Sequence, residues 1–342
     1  MQPRFSDDIF EHSVDAGDTV DYISRQDHAY DVTVRDNLAF VSDGSNGLTV
    51  YDLNVVPDYA TPTGDHIVSS RTIYGGTYAF MKNFLKRFQV EVSFVDITDL
   101  EEVNRAIRPE TRMIYCESVS NPLLEVADIR GLSGISKGRN IPLVVDNTFS
   151  PLSIAPARLG ADIVIHSLTK FINGTSDAVA GVVCASRDFC LALKDVNDGA
   201  CMLLGSTLDS IRAASILKNM RTLHLRVAKH SKNAQHLAQR FEKDGLRVVY
   251  PGLPSHSGHK LMKSMLVAQF GFGGILTLDV GCVEKANQLM ELMQKENLGY
   301  LAVSLGFYKT LFSAPGTSTS SEIPEEEQKT MGLTDGLVRF SI

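Results

Sequence analysis

From residue 66 onward, short β-branched runs alternate with stretches whose apolar residues recur at helical spacing. HIVSS, VEVSFVDI (90–97), TRMIYCES (111–118), IPLVVDNT (141–148) and ADIVIHS (161–167) predict strands. TYAFMKNFLKRF, DLEEVNRAI and DIRGLSGISKG predict the helices between them. Such an alternation predicts βαβ units and a mainly parallel sheet buried between helices. A long helical stretch over 208–245 follows, then the strands LRVVYPGL, GGILTLDV and GLVRFSI, with VEKANQLMELMQKEN as a helix between the last two. EIPEEEQ predicts a solvated helix start, with proline at the first helical position and acids favoured by the dipole. The first sixty residues break the pattern: AYDVTVRDNLAFVSDGSNGLTVYDLNVV predicts two or three antiparallel strands, turning at DGSNG.

With 342 residues, 44% of them hydrophobic, the chain has material for one large or two ordinary domains. A net charge of −7, without clusters of Lys and Arg among aromatics, argues against a nucleic-acid partner. MQPRFSDDIFEHSVD carries acids where a signal peptide needs an apolar core, and no run has membrane-spanning length. A cytoplasmic protein without a membrane partner is the expectation. Five cysteines (Cys116, Cys184, Cys190, Cys201, Cys282) lack metal-type spacing and read as reduced core residues, with no metal site expected.

The chemistry concentrates in HSLTKFINGTSDAVAG, residues 166–181. Lys170 follows the apolar strand ADIVI by a few residues, and ligands of open α/β sheets sit at the carboxyl ends of strands. Most lysines are surface residues, and an Asp after a strand is more often a cap. Here Lys170 stands with the hydroxyls of Ser167 and Thr169, and Asp146 ends the preceding strand. That is the set a pyridoxal phosphate site needs: an amine for the imine, an acid for the pyridine nitrogen and hydroxyls for the phosphate.

SRTIYGGT, ESVSNP, VVDNTF, GADIVIHSLTKFINGTSD and GLVRFSI, in this order, give residues 64–342 a resemblance to the Cys/Met-metabolism family of pyridoxal phosphate enzymes. The C-terminal portion is most similar to methionine γ-lyase-like members. The resemblance implies a type I (aspartate aminotransferase-like) fold of α/β class. A cofactor-binding large domain is expected over 63–207 and a linking helix with a smaller α/β domain over 208–342. An atypical N-terminal segment with a hairpin would occupy 1–62, residues 30–54 being similar to one LVIVD-type β-propeller repeat.

By that resemblance Lys170 is the Schiff-base lysine and proton shuttle, Asp146 the partner of the pyridine nitrogen, and Tyr74 the aromatic that stacks on the ring and assists the leaving group. Ser167 and Thr169 face the phosphate, Asn121 the phenolic oxygen, and Arg339 and Ser304 the substrate's carboxylate end. The implied function is pyridoxal phosphate-dependent γ-elimination of L-methionine or a related sulfur amino acid, in a homo-oligomer. Cystathionine γ-synthase, cystathionine γ-lyase or O-acetylhomoserine sulfhydrylase activity is the alternative. Gly76 stands where some methionine γ-lyases carry cysteine. The family's Tyr-x-Arg pair and Ser-Gly-Met turn, both for the phosphate, are not recognisable ahead of residue 64. A second alternative is therefore a shortened member that serves only for binding or interaction.

Overall fold

The structure, a computed structural model, describes residues 64–317 and 323–342 together with strand backbone between residues 21 and 48. That backbone comprises β1 (Asp21–Tyr22), β2 (Tyr30–Val34), β3 (Leu38–Asp43) and β4 (Gly47–Leu48), antiparallel in chain order. β3 pairs antiparallel with β4 through Asp43 and Gly47, the first and last residues of DGSNG. The remainder of the 1–62 unit, and with it the propeller likeness, lies outside the described residues.

A six-stranded sheet follows among the described residues: β5 (His66–Ser70), β6 (Glu91–Val95), β7 (Thr111–Glu117), β8 (Leu143–Asp146), β9 (Ile163–Ser167) and β10 (Gly181–Cys184), in the order β10-β9-β8-β7-β5-β6. All neighbours pair parallel except β10, which returns antiparallel to β9. Between and after these strands lie α1 (Gly75–Ala79), α2 (Leu100–Ala106), α3 (Ile129–Arg139), α4 (Arg187–Leu193), α5 (Ala200–Leu204), α6 (Ser210–Met220) and α7 (Leu223–Lys243). Asp99 and Asp128 start α2 and α3 by accepting backbone N–H groups of the first turn. Both sheet faces are covered, which is why the strands read as nearly continuous apolar runs. Val68, Ile114, Val145 and Val164 pack with Ile129, Leu132, Ile216 and Val227. Ile67, Met113, Tyr115 and Val144 pack with Tyr78 and Met81.

Two expected helices take another form. TYAFMKNFLKRF begins as α1, widens to a π-turn over Phe80–Phe84 and tightens to 3₁₀ over Leu85–Phe88. The 208–245 stretch is broken between α6 and α7. The Asn219 carbonyl there accepts from the Thr222 hydroxyl at 3.1 Å and from Arg226 at 3.1 Å, which displaces the helical bond it would otherwise receive.

The C-terminal part contains β11 (Arg247–Val249), α8 (His259–Met265), β12 (Ile275–Asp279), α9 (Val283–Lys295), β13 (Tyr300–Leu301), β14 (Leu311–Ser313), α10 (Glu325–Met331) and β15 (Leu337–Ser341). Its sheet runs β11-β12-β15-β14-β13, antiparallel except for β13 and β14. Leu276, Phe312, Val338 and Phe340 pack on Ala234 and Ala238 of α7 and on Met290 of α9. The core cluster of the larger sheet extends to Ile275, Met262 and Leu305, so apolar packing is continuous between the two sheets. Cys116, Cys184, Cys190 and Cys201 are buried and Cys282 is half-buried, all as thiols. No helix among the described residues is long and apolar enough to cross a membrane.

Candidate active site

β9 delivers Ser167 to the carboxyl edge of the large sheet, and the chain then enters a wide turn, Leu168–Ile172. Lys170 leaves helical geometry inside it (φ −91°, ψ −129°). Arg226 of α7 holds this turn from behind, donating to the carbonyls of Phe171 and Ile172. In front, a Cβ on Gly306 would stand 2.3 Å from the Phe171 amide nitrogen, and Gly306 itself has φ +73°. Only glycine fits there, and the 304–306 backbone closes onto the lysine turn. The Lys170 Nζ consequently lies 3.4 Å from the Ser304 Oγ. Burial, and after it the charge of Arg339, holds the amine below its ordinary pKa, a condition that favours a neutral nucleophile.

Asp146 ends β8, buried, and accepts from the Thr148 amide at 2.8 Å. Its register partner on β7 is Glu117, so two carboxylates end neighbouring strands. Burial raises Asp146 to about 6, against the pull of the Thr148 hydrogen bonds. Burial, and then the charge of Asp146, pushes Glu117 well above the carboxylate range. The backbone amides of Tyr74 and Asn121 pull Glu117 the other way, toward the carboxylate. Glu117 accepts from the Tyr74 amide at 2.8 Å and the Asn121 amide at 2.7 Å. The Tyr74 ring is 44% exposed beside Gly75 and Gly76.

Arg339, on β15, is 1% exposed. It donates to Asn121 Oδ1 (3.0 Å), the Val303 carbonyl (2.9 Å) and the Ser304 carbonyl (3.1 Å). Its Nε has no partner, and no carboxylate pairs with it among the described residues. Burial lowers its pKa to about 10, still cationic at neutral pH. A buried guanidinium facing only neutral acceptors is a receptor for an anion.

Of the expected site residues, Lys170, Ser304, Arg339 and Asn121 form one chain of contacts, and Glu117 joins Asn121 to Tyr74 and Asp146. Thr169 stands apart: its hydroxyl donates to the Ala180 carbonyl at 3.2 Å and accepts the Ala180 amide at 2.9 Å, so it tethers β10 to the lysine turn. Glu117, Arg226 and Gly306 were not expected. Glu117 opens ESVSNP, but an acid at a strand end reads as a cap, and nothing in the spacing of Arg226 or Gly306 points to residue 170.

Pyridoxal phosphate fits the donor set: a depressed amine, a buried carboxylate able to ionise, an exposed aromatic ring, and the unpaired Arg339 Nε for an amino acid's carboxylate.

The family model for Cys/Met metabolism PLP-dependent enzymes matches residues 45–342, starting nineteen residues ahead of the resemblance read from the motifs. The chain is 44% identical over 283 residues to methionine gamma-lyase of Arabidopsis thaliana, a span covering 82% of this chain and 64% of that relative. It is 38% identical over 284 residues to cystathionine gamma-lyase of Bacillus subtilis, covering 82% and 72%. A Campylobacter jejuni crystal structure described as an O-acetylhomoserine (thiol)-lyase, with N'-pyridoxyl-lysine-5'-monophosphate, superposes with a TM-score of 0.79 at 29% identity, covering 86% of this chain and 78% of that one. The chain thus spans less than two thirds of the Arabidopsis relative's length.

Proposed function

The chain belongs to the Cys/Met metabolism family of pyridoxal phosphate-dependent enzymes, and on that premise we propose that it cleaves a carbon–sulfur bond of a sulfur amino acid. L-methionine is the foremost substrate, with methanethiol, 2-oxobutanoate and ammonia leaving after uptake of one water. The observation that supports this reading is the single cluster in which the Lys170 amine meets Ser304 and the anion-seeking Arg339.

Asp146 and Lys170 would hold the cofactor by its ring nitrogen and its aldehyde, Ser167 would serve its phosphate, and Tyr74 and Asn121 would flank its ring. The bound cofactor supplies an electron-withdrawing ring that acidifies hydrogens next to the amino-bearing carbon. Arg339 binds the substrate carboxylate through the guanidinium edge that carries Nε. That grip orients the α-hydrogen toward the Lys170 Nζ, whose depressed pKa suits it to take the α-proton, return it to the bound substrate–cofactor system and, neutral again, take one from the β-carbon. Tyr74, exposed at the mouth, donates a proton to the departing sulfur. Thr169 keeps the lysine turn against β10.

Cystathionine is a second substrate reading, favoured by the 38% identity to the Bacillus subtilis cystathionine gamma-lyase. A homo-oligomer is also proposed: Met202, Leu203 and Leu204 on α5, with Ile211 and Leu217 on α6, expose apolar side chains that a second copy would cover. Sedimentation of the purified chain reads that state. Incubation with pyridoxal phosphate and either L-methionine or cystathionine tests the activity. Thiol and 2-oxo acid should form and disappear in Lys170→Ala; cofactor-loaded protein that releases neither product from either substrate would overturn it.

A further inference from the structure

Glu117 lies outside every role assigned above, yet it is the residue in which the site's parts meet. It closes β7, is 7% exposed, and uses both carboxyl oxygens on backbone amides from two separate loops. Oε1 takes the Tyr74 amide at 2.8 Å, 43 residues away in sequence, and Oε2 takes the Asn121 amide at 2.7 Å. Asn121 in turn accepts the Arg339 guanidinium at 3.0 Å, 218 residues further along the chain. We propose that Glu117 is a positioning residue that fixes the Tyr74 loop and, through Asn121, the orientation of Arg339 toward the substrate carboxylate. The inference rests on the proposed function for the identity of the substrate and on geometry for the rest.

Three features support a dedicated role. A carboxylate or carboxyl group at a buried strand end is costly, and an apolar residue would fill the same space without putting a second acid beside Asp146. Glutamine would not substitute, because its amide presents one oxygen and one NH₂ where both backbone partners are donors. The Tyr74 and Asn121 amides offset part of the burial and of the Asp146 charge that raise Glu117, so the two loops and this acid hold one another in place.

The test uses cofactor-loaded protein and the variants Glu117→Gln, Asn121→Ala and their combination. Glu117→Gln should retain the Lys170-dependent visible absorption band, because Lys170 and Asp146 are untouched. KM for the amino acid should rise about tenfold, the equivalent of one hydrogen bond to a charged or buried group, with a smaller fall in kcat. Asn121→Ala should raise KM similarly, and the double variant should raise it by clearly less than the product of the two, because both act through Arg339. Hydrogen exchange should show faster exchange at the Tyr74 and Asn121 amides in Glu117→Gln, with the β8 amides unchanged. Unchanged KM, multiplicative effects in the double variant, or unaltered exchange at both amides would overturn the proposal. If Glu117→Gln does not fold, exchange in the wild-type chain decides: protected Tyr74 and Asn121 amides support the bracing and rapid exchange at both contradicts it. A wild-type chain that binds cofactor yet turns over no sulfur amino acid contradicts the proposed function and leaves the exchange result to judge Glu117.

Discussion

At the scale of single residues, two glycines in the site have opposite consequences. A Cβ on Gly306 would meet backbone atoms of Phe171 and Lys170, which cannot step aside, and its φ of +73° is itself unfavourable for other residues. Gly306→Ala should lower the unfolding free energy by roughly 1 to 3 kcal/mol in a denaturant titration. A Cβ on Gly76 would first meet the Tyr74 ring, at 2.7 Å, and that ring is half exposed. Gly76→Ala should leave the midpoint of thermal unfolding almost unchanged while altering KM. Asp146 makes a pH prediction. With its pKa raised to about 6 from an ordinary 3.8, the folded chain binds the proton more tightly than the unfolded one, so stability falls as pH rises from about 4 through 6. Asp146→Asn should stabilise the chain without cofactor by roughly 1 to 3 kcal/mol at pH 8 and hardly at all at pH 4, measured by unfolding at the two values. Lys170, Ser304, Arg339 and Asn121, expected from the motifs around them, are linked by contacts, and Tyr74 and Asp146 adjoin them through Glu117. Glu117 itself was not legible, because an acid ending a strand reads as a cap until its neighbour on the adjacent strand is known.

At the scale of elements, the parallel strands were legible because a sheet covered on both faces demands unbroken β-branched runs, as in LVVD and IVIHS. The strands β10, β13 and β14 escaped the reading, being only four, two and three residues long and specified by their partners. The break between α6 and α7 escaped for a similar reason. The apolar spacing runs on through Arg221 and Thr222, whereas the interruption comes from side chains capping Asn219. Arg226 leaves α7 to hold the lysine turn, so one helix transmits order to the site. Arg226→Ala would leave the Phe171 and Ile172 carbonyls without this donor. It should cost about 1.5 to 3 kcal/mol of stability, and Arg226→Lys should recover only part, because an ammonium cannot span two carbonyls as a fork does. Equilibrium unfolding of the two variants checks both values.

At the scale of the whole molecule, the site is divided between two sheets. Lys170 and Asp146 come from the large parallel sheet, while Ser304 precedes β14 and Arg339 lies on β15 of the C-terminal sheet. Cofactor and substrate functions should therefore separate. Arg339→Leu should raise KM at least tenfold with the cofactor band intact, whereas Asp146→Asn should weaken the band itself; titrations with pyridoxal phosphate and with L-methionine distinguish the two. This division was not legible from spacing, since 169 residues separate Lys170 from Arg339 and only the folded chain brings their regions together through Ser304. The central claim is that Lys170 is the covalent anchor of pyridoxal phosphate in this fold. The visible absorption spectrum of the purified chain with added cofactor, recorded beside Lys170→Ala, tests it most directly. A stable band present in the wild type and absent in the variant is the predicted result; an identical spectrum for both proteins would contradict it.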